Sequence, residues 1–312
     1  MQGLPLKRLV VSLTLCGIFS LISTTYLLYN IPLLRSEKTS ITQVISKRIP
    51  LKGGEKLKDV GNSTRNTLLY VVSSSNEYQL QKVKDLAQTF GQNFVIIWDN
   101  KEKANKRCPK DFTKQARCID QWQWADRADK GRNLVHPCCG WQKAIAWATD
   151  NRKSSDYFWF MEDDVHFTNV SLLEDLLNNT DSTYDNTADL LIHKKPDKAK
   201  GWAHARWTRK SIAKRWGSNF WKENTQVCSM MNLFRTSELF MTRLEEDFLA
   251  HRNTWQYYET YFLALSDLYK LKLSNFGKFT THLRYRPCWT EFPTPSIYHP
   301  VKFRDGKFTE CH

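Results

Sequence analysis

At 312 residues, with 41% hydrophobic and 13% aromatic side chains, the chain has the composition of a globular protein with a substantial core, which excludes disorder as its overall state. The length allows one large domain or two small ones. Its 46 Lys and Arg against 32 Asp and Glu give a formal charge of +14, which calls for an anionic partner such as nucleic acid, phosphate, acidic glycan or a membrane surface.

Residues 1–8 form a short tail ending in Lys7 and Arg8. From Leu9 to Tyr29 runs an uncharged, mostly apolar stretch of about 20 residues, long enough to cross a bilayer as a helix. The two leading cations favour a cytoplasmic N-terminus, although Arg35 and Lys38 on the far side weaken the asymmetry. The run exceeds a usual signal-peptide core and no small-x-small cleavage site follows, so residues 9–29 are expected to be a retained signal anchor with the bulk of the chain lumenal. Residues 30–66 are polar and basic, with Pro32, Pro50 and Gly53-Gly54, and read as a stem ahead of a folded domain over 67–312.

A lumenal domain is expected to carry glycans and disulfides. The sequons Asn62-Ser63-Thr64, Asn169-Val170-Ser171 and Asn178-Asn179-Thr180 are present. Of eight cysteines, Cys16 lies in the apolar run, and Cys108, Cys118, Cys138, Cys139, Cys228, Cys288 and Cys311 would face an oxidising compartment. That number is odd, so one thiol is free or pairs between chains, and a disulfide-linked dimer is among the partners the sequence allows. No CxxC pair supports zinc.

The folded part opens with an apolar strand at Leu68–Val72. Ser73-Ser74-Ser75-Asn76 follows as turn and N-cap, then a helix in which Tyr78, Leu80, Val83, Leu86, Ala87 and Phe90 recur at helical spacing until Gly91 stops it. A second strand, Phe94–Trp98, completes the strand-helix-strand opening of a parallel α/β sheet. Lys101–Pro137 is polar and reads as an excursion from the sheet, whose Trp122 and Trp124 pack on a core or stack on a sugar or base. A helix with Trp141, Ala144, Ile145 and Ala148 on one face leads into a strand at Tyr157–Met161. Beyond come a helix at Asn169–Leu177, a short strand at Asp189–His193, and a basic segment from Lys194 to Trp221 with Trp202, Trp207, Trp216 and Trp221 interleaved. A strand at Ser229–Phe234, a helix over Ser237–His251 with Leu239, Phe240, Leu244 and Phe248 inward, a helix around Thr254–Leu271 and an irregular tail rich in Pro and aromatics complete the chain. The basic segment either holds phosphate or an acidic acceptor while its Trp faces stack on sugars, or is a solvated loop whose Trp residues fill a core.

The most informative run is Tyr157-Phe158-Trp159-Phe160-Met161-Glu162-Asp163-Asp164, three carboxylates at the end of an aromatic strand. Buried charges are paired or ligate metals, so the run points to a divalent cation or a substrate; the plainer reading is acids that cap the following helix. In an open α/β sheet the C-terminal strand edge is where ligands bind.

Glu162-Asp163-Asp164, after such a strand, resembles the DxD-type motif of GT-A glycosyltransferases, and the strand-helix-strand opening resembles their nucleotide-binding unit. The resemblance implies a Rossmann-like, mixed and mostly parallel sheet flanked by helices, in a type II membrane protein of the Golgi or endoplasmic reticulum. It implies Mn²⁺ or Mg²⁺ and a nucleotide sugar, UDP-linked by expectation, transferred to a glycan or glycoprotein acceptor. Asp164 would ligate the cation, Glu162 would ligate it through water or bond the ribose, and Asp163 would orient or contact the donor sugar. A late His completes the metal shell in many such enzymes, which points to His299 in Tyr298-His299-Pro300-Val301-Lys302, with Lys302 on phosphate and His312 a weaker choice. As a surface histidine in an extended tail, His299 would do none of this.

The resemblance also places an acidic base or acceptor contact on a downstream helix. Glu259, among aromatics that could raise its pKa, is the first candidate and Asp247 the second, although Glu245-Glu246-Asp247 also reads as a solvated helix face. The anchor and the sequons argue against nucleic acid as the anionic partner. Two other classes stay open: a lumenal sulfotransferase, which lacks its P-loop here, and a non-catalytic glycan-binding membrane protein.

Overall fold

The computed structural model describes residues 65–99, 107–120, 139–194, 197–198, 205–220, 227–250, 258–285 and 289–310. The expected anchor, nearly all of the stem, the sequon at Asn62, Trp122, Trp124, Trp202, Trp221 and His312 lie outside them, as do Cys16, Cys138, Cys288 and Cys311. No helix among the described residues is long and apolar enough to cross a membrane.

In chain order the strands are β1 (Asn66–Val72), β2 (Phe94–Trp98), β3 (Arg117–Ile119), β4 (Tyr157–Glu162), β5 (His166–Phe167), β6 (Leu190–Ile192), β7 (Asp197–Lys198), β8 (Val227–Cys228), β9 (Leu233–Ser237), β10 (Leu273–Asn275), β11 (Leu283–Tyr285), β12 (Ile297–His299), β13 (Lys302–Arg304) and β14 (Lys307–Thr309). The helices are α1 (Glu77–Phe90), α2 (Lys110–Thr113), α3 (Cys139–Asp150), α4 (Val170–Asn178), α5 (Ala205–Trp216), α6 (Glu238–Ala250) and α7 (Tyr258–Tyr269). The main sheet has seven strands in the order β10-β6-β9-β4-β1-β2-β3. All its neighbours are parallel except β9, which runs antiparallel to both β4 and β6. This is the mixed, mostly parallel α/β architecture expected from the sequence, with the acid-bearing strand β4 at its centre.

The pleat sorts the central strands onto two faces. Leu69, Val71, Val95, Ile97, Phe158 and Phe160 enter one core, packed by Trp141, Ala144, Ile145 and Ala148 of α3 with side chains of α6 and α7. Leu68, Tyr70, Phe94, Ile96, Trp159 and Met161 enter the other, against Val83 and Leu86 of α1 and Leu173, Leu176 and Leu177 of α4. Each fully buried aromatic or aliphatic side chain contributes about 1.5–3 kcal/mol. Phe158–Met161 of β4 are buried, with Glu162 half-buried at the strand's end.

Local signals set the ends. Asn76 Oδ1 accepts from Gln79 N at 2.9 Å to cap α1, and Gly91 ends that helix at φ 54°, a conformation that costs glycine little. Gly140 serves packing instead. A Cβ there would stand 2.4 Å from Val71 Cγ1 and 2.9 Å from Asp99 Cβ, so only glycine lets α3 start hard against the ends of β1 and β2.

Several expectations change. Arg117–Ile119 lies in the expected excursion, yet it joins the sheet parallel to β2, tied back by the disulfide Cys108–Cys118. Ser229–Phe234 is not one strand, because β8 ends at Cys228 and β9 begins at Leu233. Leu239 is 46% exposed rather than inward. The tail is not irregular: β12 pairs parallel with β11 and antiparallel with β5, and β13 and β14 form a hairpin. Cys228 is fully buried.

Asp247 is no solvated residue. Its side chain and that of Arg215 are fully buried, with Arg215 Nε 2.7 Å from Oδ2; Tyr261 donates to Oδ2 at 2.6 Å and the Trp216 indole to Oδ1 at 2.7 Å. The carboxylate thus joins α5, α6 and α7, and Trp216 of the basic segment is a packing residue stacked on Tyr261. Because Asp247→Ala strands a buried guanidinium, it is expected to cost about 3–5 kcal/mol in urea unfolding, with Arg215→Met/Asp247→Leu recovering part of the loss, since Tyr261 and Trp216 still lose their acceptor. An Asp247→Ala protein of unchanged stability would contradict this role.

Candidate functional site

The site is built at the C-terminal end of β4, where the antiparallel direction of β9 brings its leading residues alongside. Glu162 N donates to Asn232 O at 3.0 Å, so Asn232 sits beside the first acid. The chain then turns, with Val165 N donating to Glu162 O at 3.2 Å, and enters β5. From behind, α1 grips this turn: Gln79 Nε2 donates to Asp163 O at 3.0 Å, and the buried Lys82 ammonium donates to Asp163 O at 3.1 Å and to Val165 O. Burial pushes the Lys82 pKa down to about 7, against the pull of Asp163 and Asp164.

The three acids take three different sets of partners. Glu162 Oε1 accepts from the Trp141 indole at 2.8 Å and from Tyr258 Oη at 3.3 Å, while Oε2 accepts from Asn232 Nδ2. Asp163 turns to the end of β1, where its Oδ2 accepts from Ser73 N at 2.9 Å and Ser73 Oγ at 2.7 Å. Asp164 faces the C-terminal tail. His299 Nε2 lies 3.1 Å from Asp164 Oδ1 and 3.6 Å from Glu162 Oε2, and Lys302 Nζ bonds Asp164 Oδ2.

The tail reaches the turn by backbone pairing. Tyr298 and Ile297 of β12 pair with His166 and Phe167 of β5, and Val301 N donates to Asp164 O at 2.9 Å, so His299 and Lys302 bracket a fixed point. His299 is buried, at 8% exposure, and so is not the surface histidine of an extended tail. Among the described residues, Glu162, Asp164 and His299 form the group whose ligand atoms lie within 4.8 Å of one another. Ligand atoms about 2.1 Å from an octahedral cation stand about 3–4 Å apart, and two carboxylates with one imidazole suit a hard or borderline cation such as Mg²⁺ or Mn²⁺. The donor set fits such an ion.

The structure brings together Glu162, Asp164, His299 and Lys302 from the sequence-derived candidates, places Asp163 one step aside on Ser73, and does not bring Asp247 or Glu259 into the group. Glu259 is buried in the first turn of α7 beside Tyr258, but successive helix positions diverge by about 100°, and Tyr258 is the one that reaches Glu162. Trp141, Asn232 and Tyr258 escaped the sequence reading. The available signal was that a buried indole N–H or phenol needs a partner, which makes an inward-facing Trp or Tyr more than core filling.

Electrostatics agree with the geometry. Burial alone would raise the Asp164 pKa, but His299 and Lys302 outweigh it and hold this carboxyl well below the usual range. Burial likewise opposes the His299 imidazolium, and Asp164 with Glu162 overcomes it, so the His299 pKa is raised above 6.5. Nearby His166 moves the other way, down to about 3, through burial and the Lys82 charge. A raised histidine pKa adds stability that is fully present below the unfolded value near 6.5 and lost as pH climbs through the folded value. Asp164, with a lowered pKa, adds stability present above about 3.8 and lost as pH falls further. Thermal unfolding without divalent cations is therefore expected to show the wild type's advantage over His299→Asn greatest near about pH 5, shrinking as pH rises past 6.5. An advantage that grows with pH would refute this account.

No family model matches the chain, and no curated protein matches it in sequence. Among solved structures, apo mouse xyloside xylosyltransferase 1 is similar at 12% identity and a TM-score of 0.36, over 75% of this chain and 97% of that one. The Mn/GDP form of core-mannan synthase A from Aspergillus fumigatus is similar at 12% identity and a TM-score of 0.30, over 67% of this chain and 70% of that one. Overlaps this loose assign no role to any residue here.

Proposed function

We propose that the chain is a metal-dependent glycosyltransferase that moves a sugar from a nucleotide donor, UDP-linked in our reading, to a glycan or glycoprotein acceptor. The observation that carries the proposal is the convergence of Glu162, Asp164 and His299, with Lys302 beside them, at the C-terminal end of the central strand. Asp164 and His299 would hold the cation directly. Glu162, both of whose oxygens already accept hydrogen bonds, would complete the set directly or through water.

A divalent cation bound there would stabilise the charge that develops on a diphosphate leaving group. The protein's own residues do the rest. Lys302, with its ammonium on Asp164 Oδ2 and its side chain 40% exposed, stands where it can meet a phosphate oxygen. Asp163 locks the turn to β1 through Ser73, and Trp141, Asn232 and Tyr258 fix the Glu162 carboxylate so that its orientation costs nothing at the moment of binding. The placement in a Golgi or endoplasmic reticulum membrane through residues 9–29 belongs to the same proposal and is supported by the length of the apolar run and the cations ahead of it.

The full chain, screened against nucleotide sugars, is expected to hydrolyse one of them slowly in the presence of Mn²⁺. Asp164→Ala is expected to reduce that rate about a hundredfold or more; transfer or hydrolysis that survives both this change and chelation would sink the proposal. Trp141→Phe keeps an aromatic ring and deletes the N–H, at some cost in core packing. In the folded protein it is expected to weaken Mn²⁺ binding about tenfold in calorimetric titration, and an unaltered Mn²⁺ affinity would show that the indole bond does not orient Glu162.

A further inference from the structure

Behind the acid turn, on the other side of Lys82, lies a cavity of about 340 Å³ between α1, β5 and β14. One wall is a helical stripe: Tyr78, Gln81, Lys82 and Asp85 follow one another at the i, i+3, i+4 and i+7 positions of α1. The remainder is His166, Phe167, Thr168 and Phe308. The sequence places Tyr78 among the core positions of this helix. It instead stands half-buried, stacked on Phe303 at 5.1 Å, met edge-on by Phe308 at 5.3 Å, and bonded through its hydroxyl to His166 Nδ1 at 2.7 Å.

The lining divides by chemistry. Tyr78, Phe167 and Phe308 offer aromatic carbon. Farther along the α1 stripe from Tyr78, Gln81 Nε2 donates to Asp85 Oδ1 at 2.8 Å, which sets an amide and a carboxylate side by side, while the Thr168 hydroxyl is held by Ser296, donating to its carbonyl at 3.3 Å and accepting from its N–H at 3.1 Å. The lining lysine does not make this an anion site, because Lys82 is 4% exposed and its ammonium is turned to the carbonyls of Asp163 and Val165, while Asp85 repels anions. A purely apolar ligand would leave Asp85 and Gln81 facing hydrocarbon. What suits an aromatic floor with clustered donors and acceptors, in a volume at the lower end of ligand pockets, is a ring with one apolar face and a polar periphery.

We propose that this cavity is a carbohydrate subsite, which takes one sugar ring of a glycan with its C–H face on the aromatic lining and its hydroxyls toward Gln81 and Asp85. The choice of a glycan rests on the glycosyltransferase reading; the cavity and its lining do not. His166 is two residues beyond Asp164, so their Cα atoms are no more than about 7.6 Å apart. Lys82 belongs to both places, lining the cavity and holding the carbonyls of the acid turn, so a bound sugar would bear directly on the support of the proposed donor site.

The test uses the full chain without nucleotide or added metal, and the methyl glycosides of galactose, glucose, mannose, xylose and N-acetylglucosamine as probes in saturation-transfer NMR. At least one glycoside is expected to bind, and Gln81→Ala and Asp85→Ala, both on the outer face of α1, are each expected to weaken it about tenfold. Mn²⁺ affinity in these variants is expected to stay at the wild-type value. Absence of binding by every glycoside, binding of tetramethylammonium alone, or glycoside binding unchanged in both variants would overturn the subsite. The two readings fail separately. A protein that binds Mn²⁺ and a nucleotide sugar but no glycoside loses only the subsite, and one that binds a glycoside sensitive to Asp85 but no nucleotide sugar keeps the subsite and loses the transferase assignment.

Discussion

Three carboxylates in sequence at the end of a buried strand repel one another, and the structure around them is arranged to relieve that repulsion. Two like charges about 4 Å apart interact by about 4 kcal/mol at the effective dielectric near a protein surface. The turn after β4 divides the problem by sending each acid to a different neighbour. Glu162 goes to neutral donors on α3, α7 and the approach to β9; Asp163 goes to Ser73 at the end of β1; Asp164 goes to the cationic groups of the tail. Glu162 meets mainly neutral donors, with His299 Nε2 farther off at 3.6 Å, whereas His299 at 3.1 Å and Lys302 compensate the charge of Asp164. The pair Asp164–His299 is therefore where a divalent cation would find both a committed anion and a nitrogen ligand.

That division depends on the sheet order. A parallel neighbour on both sides of β4 would place only strand ends and following turns at its carboxyl edge. Because β9 is antiparallel, it is the approach to β9 that lies there, and Asn232 can close on Glu162 from a segment that a purely parallel sheet would carry to the opposite edge. On the other flank, Gly140 lets α3 approach closely enough for Trp141 to reach the same carboxylate while its ring packs on Phe234 and Tyr258. Core packing and site geometry are one set of contacts at this position.

How much of this was legible follows from which forces are local. The opening β1-α1-β2 unit, the acid-bearing strand and the stop at Gly91 are written in periodicity, capping and turn chemistry, and they emerged as read. His299 and Lys302 were found through a resemblance to a motif, since nothing in Tyr298-His299-Pro300 by itself announces a partner more than 130 positions earlier in the chain. The strand Arg117–Ile119 was missed because three residues ending a polar stretch carry too little pattern, and pairing with β2 decides their state. Asp247 was misjudged for a related reason. A charge triplet on an amphipathic helix looks solvated until the helix on its far side is known, and here α5 supplies Arg215 and Trp216 to bury it.

The tail shows why such a site is indivisible from the fold. β12 has only three residues, and its antiparallel partner β5 has two, so neither would persist alone. They are stabilised jointly, with Tyr298 packing on Trp289 and Phe292, Ser296 bonded to Thr168 in both directions, and Val301 bonded to the Asp164 carbonyl. His299 therefore reaches Asp164 through a contact spanning well over a hundred residues, a long-range pairing whose loop entropy its bonds must offset. The ligand group exists only in the completed fold. The acids alone, on a finished β4 but without the tail, would present the concentrated negative charge that the rest of the structure is built to divide.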